Sequence, residues 1–167
     1  MDRGPTQYDR SYEEGVLVPA DVQDVFDYVD DHLKYYSHVI EFARILGGRM
    51  ALHTDDGGGR SVGSHIRLSG SVLGAALSLE EVVSRREPPR IKEWETVGVP
   101  KFLIVGRYRY RVDIEPQDGG SLLEVSFDFS PPEGAGRLRV FVSRRYARTC
   151  AREMARITRD HFTKLAR

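Results

Sequence analysis

The stretch that decides the fold is GRLRVFVSRRYARTCAREMARITRDHFTKL, residues 136–165. It holds no proline and, after Gly136, no glycine, and Leu138, Val142, Tyr146, Cys150, Met154, Ile157, His161 and Leu165 recur in it at steps of four and three. That spacing puts about one side chain per turn on a single face, so the segment reads as one long helix with an apolar stripe. A stripe of this length needs a partner surface.

The residues upstream supply one. Tyr108, Tyr110, Val112 and Ile114 alternate with Arg107, Arg109, Arg111, Asp113 and Glu115, and Leu123, Val125, Phe127 and Phe129 alternate with Glu124, Ser126 and Asp128. Period-two alternation gives each strand one apolar and one polar face. The arginines, with Arg67, read as a solvated outer face, since Asp113 and Glu115 continue it. Working back, Ile91 to Val97, Ala76 to Arg86, Val62 to Leu73 and Leu46 to Leu52 read as strands, parted by Pro88-Pro89, Gly74 and the loop Asp55 to Gly59. Phe102 to Glu115 and Leu122 to Phe129 complete the run, separated by Asp118-Gly119-Gly120. Such short links favour an antiparallel meander. Tyr8 to Val18 is a first strand stopped by Pro19, followed by a helix through Val22, Val25, Phe26 and Val29 and a second helix or turn over His32 to Phe42. The expectation is an α+β chain, a curved antiparallel sheet of about seven strands with two short helices, gripping one long C-terminal helix around a cavity.

Composition bounds the rest. The chain has 167 residues, 40% hydrophobic and 30% charged, with 25 basic residues against 25 acidic. One core is the default at this length, and a net charge of zero argues against a polyanionic partner such as nucleic acid. All but four of the basic residues are arginine, a bias expected of a GC-rich bacterial source. Cys150 is the single cysteine, no apolar run nears the roughly 20 residues of a membrane span, and the N-terminus lacks the order of a secretory signal. These features predict one domain over residues 1–167 of a cytoplasmic, reduced protein.

Val18, Pro19, Ala20, Val25, Phe26 and Val29 resemble the strand-to-helix corner of the START, polyketide-cyclase and pollen-allergen-like superfamily, and Glu87-Pro88-Pro89-Arg90 is similar to a mid-chain pattern of its bacterial members. The resemblance runs from about Tyr12 to Leu165 and implies the helix-grip fold. It implies a hydrophobic ligand, a lipid, polyketide or aromatic molecule, held in an internal cavity. An aromatase or cyclase on the same scaffold, and a quinone chaperone or macromolecular interaction module, remain open beside it. A second copy of the chain is a further candidate partner.

No motif selects among these. Asp55 to Gly59 lacks the Lys-Ser/Thr of a phosphate-binding loop, and the five histidines show no zinc spacing, so neither cofactor nor metal is expected. Trp94, Tyr108, Tyr110, Phe127, Phe129, Tyr146, Cys150 and Met154 are the expected ligand wall. Phenols facing an interior need hydroxyl partners, which a ligand's polar tip provides, although the rim or backbone also serves. Tyr108, Tyr110, His65 and His161 are the candidates for acid-base work. Cys150 reads as core packing rather than a nucleophile.

Overall fold

Tyr108–Gln117 and Gly120–Phe129 pair antiparallel with Tyr110 opposite Phe127 and Val112 opposite Val125, so their apolar faces coincide. The structure, a computed structural model, describes residues 8–45, 47–101 and 104–166, and of His38 and Phe42 the backbone only. In chain order the elements are β1 (Arg10–Val18), α1 (Val22–Asp30), α2 (His32–Tyr35), α3 (Ser37–Ile45), β2 (Arg49–Thr54), β3 (His65–Val72), β4 (Ala75–Glu87), β5 (Ile91–Thr96), β6 (Tyr108–Gln117), β7 (Gly120–Phe129) and α4 (Arg137–Leu165). All seven strands form one antiparallel sheet in the order β1-β7-β6-β5-β4-β3-β2. Among the described residues the three helices between β1 and β2 are the longest excursion from a meander.

Several boundaries differ from the sequence reading. The expected second helix is two, because α2 ends at Tyr36, whose φ of −90° and ψ of 0° leave the helical range, and Ser37 Oγ donates to Lys34 O at the joint where α3 begins. β2 begins at Arg49 and β3 at His65, since residues 55–64 form a turn-rich loop closed by Asp55 and Ser64. β6 begins at Tyr108. Leu46 and Phe102, the expected first residues of β2 and β6, lie outside the described residues.

The inner face carries Val18 from β1, Ile66 and Leu68 from β3, Val83 and Trp94 from β4 and β5, and the alternating sets of β6 and β7 already named. On β4 a bulge between Val83 and Arg85 shifts the alternation and turns Arg86 toward Asp30 at the end of α1. The opposite face is a lattice of ion pairs, among them Arg109 with Asp128 and Arg111 with Asp113 and Glu93. A depression of about 300 Å³ on that face is lined only by charged residues and Ser126, so the basic row is neutralised within the sheet.

α4 packs over β1 and β7, while α3 covers β2 and β3. The inner side of α4 is not the expected stripe. Ser143, Ala147, Ala151, Met154, Ala155, Thr158 and Phe162 are buried, Tyr146 and Cys150 lie half-buried beside them, and Leu138, Val142 and Leu165 are exposed. The physical reason is closeness: a line of alanines lets the helix backbone approach β1 and β7, whereas large side chains there would hold it off. Length adds to this, since 29 residues of helix span about 43 Å and a ten-residue strand about 33 Å, so part of α4 overhangs the sheet. Among the described residues no helix is long and apolar enough to cross a membrane.

Met154 is 2% exposed and Leu138 76%. Met154→Asp, which buries an unpaired charge, should cost on the order of 4 kcal/mol in urea unfolding, and Leu138→Asp less than about 0.5 kcal/mol. Similar losses for the two would mean that the helix is rotated from this position.

Candidate functional site

On β4 the inward positions read Leu77, Leu79, Glu81 and Val83, so alternation alone sends a carboxyl group into the interior. Glu81 is fully buried. Its Oε1 accepts from Tyr36 Oη at 3.0 Å and from Tyr108 Oη at 2.7 Å, while Oε2 has only a longer contact to Tyr36, at 3.2 Å. Trp94 Nε1 donates to Tyr36 Oη at 2.8 Å, which leaves the Tyr36 proton free to point at Glu81. The donors thus run in one direction, from Trp94 on β5 through Tyr36 at the α2–α3 joint to Glu81, with Tyr108 of β6 converging from the other side.

Burial dominates the acidity of this carboxyl and pushes its pKa up to about 7, against the pull of the two phenols. Burial and the neighbouring Glu81 hold both phenols protonated far above neutral pH. The carboxyl is packed among aromatic rings: Trp94 stacks on Tyr110 at 5.3 Å, and Tyr108 on Phe127 at 5.2 Å.

Tyr110 and Tyr146 extend the site toward α4, where their phenols face the Cys150 thiol. Burial pushes that thiol up to about 11, so it is a neutral packing group and not a nucleophile. Phe129 and Met154 are buried on the sheet and helix sides of the same core. The structure thus brings the residues expected as a wall to one interior.

The two histidines are corrected. His65 points to the outer face, where its Nδ1 lies 2.9 Å from Glu80, because the inward positions of β3 are Ile66 and Leu68. His161 is exposed and stacks on Tyr28 with ring centroids 4.3 Å apart, one position round α4 from the buried Phe162. Neither reaches the interior.

A second buried polar group lies at the other end of β5. Lys92 Nζ, fully buried, is within 3.1 Å of Asp30 O, Asp30 Oδ1, His32 Nδ1 and Gly59 O. Burial lowers its pKa to about 8 against the support of Asp30, and burial together with Lys92 keeps His32 neutral. Burial alone would raise Asp30, but Arg86 and Lys92 outweigh it and hold the carboxylate ionised. Gly59 must be glycine here, with φ +72° and a Cβ that would come within 2.9 Å of His32 Nδ1. Sequence reasoning passed over Glu81, Tyr36 and Lys92. Their signal was present as polar residues at inward positions of β4 and β5 and in the tyrosine pair of the second helix. Among the described residues no group of three or more His, Cys, Asp or Glu is arranged to hold a metal ion.

A family model described as polyketide cyclase / dehydrase and lipid transport matches residues 9–160. No match was found among curated proteins. Among solved structures the chain is similar to Ara h 8.0201, with 12% identity, a TM-score of 0.66 and coverage of 93% of this chain and 98% of the other. It is similar to the di-domain ARO/CYC StfQ of the steffimycin biosynthetic pathway, with 17% identity, a TM-score of 0.64 and coverage of 93% of this chain and 51% of that one. A Rhodobacter sphaeroides protein aligns at 20% identity and a TM-score of 0.62 over 93% and 92% of the two chains. At these identities the likeness is one of fold.

A carboxyl with a folded pKa near 7 and an unfolded value near 4.5 ionises first in the unfolded chain. Its contribution is therefore fully present below about pH 4.5 and is lost as pH rises to about 7, a change on the order of 3 kcal/mol. Stability measured from pH 4.5 to 8 should fall less steeply for Glu81→Gln than for wild type. Parallel profiles would show that Glu81 does not titrate in this range.

Proposed function

Because the chain belongs to the polyketide cyclase / dehydrase and lipid transport family, we propose that it binds a small hydrophobic molecule carrying one carbonyl or hydroxyl tip, with the apolar body against the aromatic wall and the tip on Glu81. The observation that carries this reading is Glu81 itself. A buried carboxyl is costly in a core whose only task is packing, and Oε2 retains hydrogen-bonding capacity that Tyr36 and Tyr108 do not use. Protonated, it donates to a carbonyl; ionised, it accepts from a hydroxyl. Trp94, Tyr110 and Phe127 supply the flat apolar surfaces, and Tyr146 and Cys150, half-buried at the edge of α4, close the side nearest the helix. Small-molecule sites commonly combine such walls with a few placed polar groups.

The near-neutral pKa also favours a second reading, an aromatase or cyclase as in the fold relative StfQ. A general acid-base works best when its pKa lies near the operating pH. In that reading ionised Glu81 takes a proton from the carbon between two carbonyls, the carbanion attacks a further carbonyl of the same chain, and Glu81 returns that proton to the alkoxide formed; it then takes the second proton from the same carbon and passes it to the departing hydroxyl, so that water leaves and a carbon–carbon double bond forms. Tyr36 and Tyr108 orient the carboxyl through both steps.

Fluorescence titration with naphthalene and 2-acetylnaphthalene separates the outcomes. The ketone should bind about tenfold more tightly than naphthalene below pH 6, lose that advantage between pH 6 and 8 as Glu81 ionises, and show no such loss in Glu81→Gln. Equal affinity for the two probes at every pH would remove Glu81 as the recognition group. Formation of an aromatic product from a linear poly-β-ketone, by wild type and not by Glu81→Gln, would place the second reading ahead of the first.

A further inference from the structure

Ten large hydrophobic residues are exposed among the described residues, and six of them lie at one end of the molecule. Ile45 ends α3, Leu73 tips the β3–β4 hairpin, Val99 sits in the β5–β6 connection, and Leu138, Phe141 and Val142 occupy the first turns of α4. Their nearness follows from the fold. Gly48 packs against the backbone of Ser71 and Val72, Lys101 bridges to Ser78 on β4, and Ser143 Oγ donates to Ile104 O. These contacts join the four segments in series around the end of the sheet where β3 and β7 finish and β4 and β6 begin.

Two features of this rim have no account in the fold. The hairpin turn is Leu73-Gly74, with φ values of +51° and +78°. Such two-residue turns favour Asn-Gly, because a leucine in the left-handed region is strained. Leu73 is also 77% exposed, so no packing offsets the strain. The second feature is charge. From Arg137 to Arg148, α4 carries five arginines and no acidic residue, and among the described residues none of the five makes an ion pair. Further along the helix Arg152, Arg156 and Arg159 are each paired with a carboxylate. The acidic groups on the rim segments are Glu133 and Glu41, and Glu41 pairs with Arg44. Leu138, Phe141 and Val142 are spaced by three and four, so they form one patch on the outer side of α4, with Arg145 a turn beyond it.

We infer that this end of the protein docks on an anionic lipid surface, with Leu73, Val99, Leu138, Phe141 and Val142 entering the interface and the arginines of α4 meeting the headgroups. A basic face interleaved with exposed apolar side chains is the pattern of interfacial helices. The other occupants fit less well. A second copy related by two-fold symmetry would bring two unpaired arginine clusters together, and a nucleic acid backbone would leave the apolar patch without a partner. This inference does not depend on which molecule the interior holds.

Flotation of the full chain with vesicles containing about 30 per cent phosphatidylglycerol in phosphatidylcholine, and with phosphatidylcholine alone, tests it. Wild type should float with the anionic vesicles and not with the neutral ones. Leu138→Ser with Phe141→Ser, and separately Arg144→Gln with Arg145→Gln, should each weaken binding about tenfold or more, with unchanged circular dichroism because all four side chains are exposed. Leu73→Asn should weaken binding while keeping or raising Tm, an outcome that a structural role for Leu73 would not give. Wild type that stays with the pellet, or full binding by the Ser double variant, would overturn the inference. So would sedimentation showing a dimer that the same variants dissociate, which would assign the face to a second copy. Tight binding of a short DNA duplex by the Ser double variant would assign the arginines to nucleic acid.

Discussion

The interior is organised around a carboxyl group that water does not reach. Glu81 binds the phenol of Tyr36, at the joint between α2 and α3, and the phenol of Tyr108, on β6. It thereby ties the helical excursion to the centre of the sheet. This matters because α4 packs mainly over the β1 and β7 side. Over β4 and β5 the roof is Tyr35 and Tyr36, and hydrogen bonding and ring contacts hold it where helix-to-sheet packing does elsewhere. Removing either phenol would leave the carboxyl under-satisfied, a larger loss than the bond itself is worth.

The two buried polar groups differ in how completely they are satisfied. Around Lys92, four acceptors face three N–H bonds, and the ammonium stands at the C-terminal end of α1, where a cation suits the exposed carbonyls. That group joins α1, α2, the 55–64 loop and β5, and it is closed to further partners. One atom of its neighbourhood is left over: His32 Nε2 has no hydrogen-bond partner among the described residues. Glu81 differs in kind, since its own Oε2 keeps spare capacity and its charge is balanced on a near-neutral pKa. A closed network reads as architecture, an open one as a place for something else to bind.

The fold was legible because its signals are periodic. The β6 and β7 alternations, the proline and glycine breaks and the unbroken 137–165 segment lead directly to a meander and one long helix. The orientation of that helix was not legible from large apolar residues, because the face that packs is made of Ala147, Ala151 and Ala155. Leu138, Val142, His161 and Leu165 were assigned inward for being apolar or aromatic at the right spacing, and steric closeness decided otherwise. The wall residues Trp94, Tyr108, Tyr110 and Phe127 followed from alternation. Glu81 and Lys92 did not, because a lone charged residue in a strand ordinarily signals the solvent face, and here its partners come from segments 27 to 62 residues away.

The zero net charge of the chain is a sum over unlike parts, and this limits what the total can exclude. On the outer sheet face, cations and anions alternate between neighbouring strands and pair locally, so that surface carries little field beyond its own contacts. The second half of α4 is neutralised in the same way by Glu14, Glu153 and Asp160. The rim carries a positive excess, where arginines without ion-pair partners among the described residues border exposed apolar side chains, and the negative excess that brings the total to zero lies on the rest of the molecule. An argument from total charge against an anionic partner holds for a polymer that wraps the whole molecule. It does not hold for a flat surface that meets one end, since beyond about 10 Å in ordinary salt the negative remainder is screened.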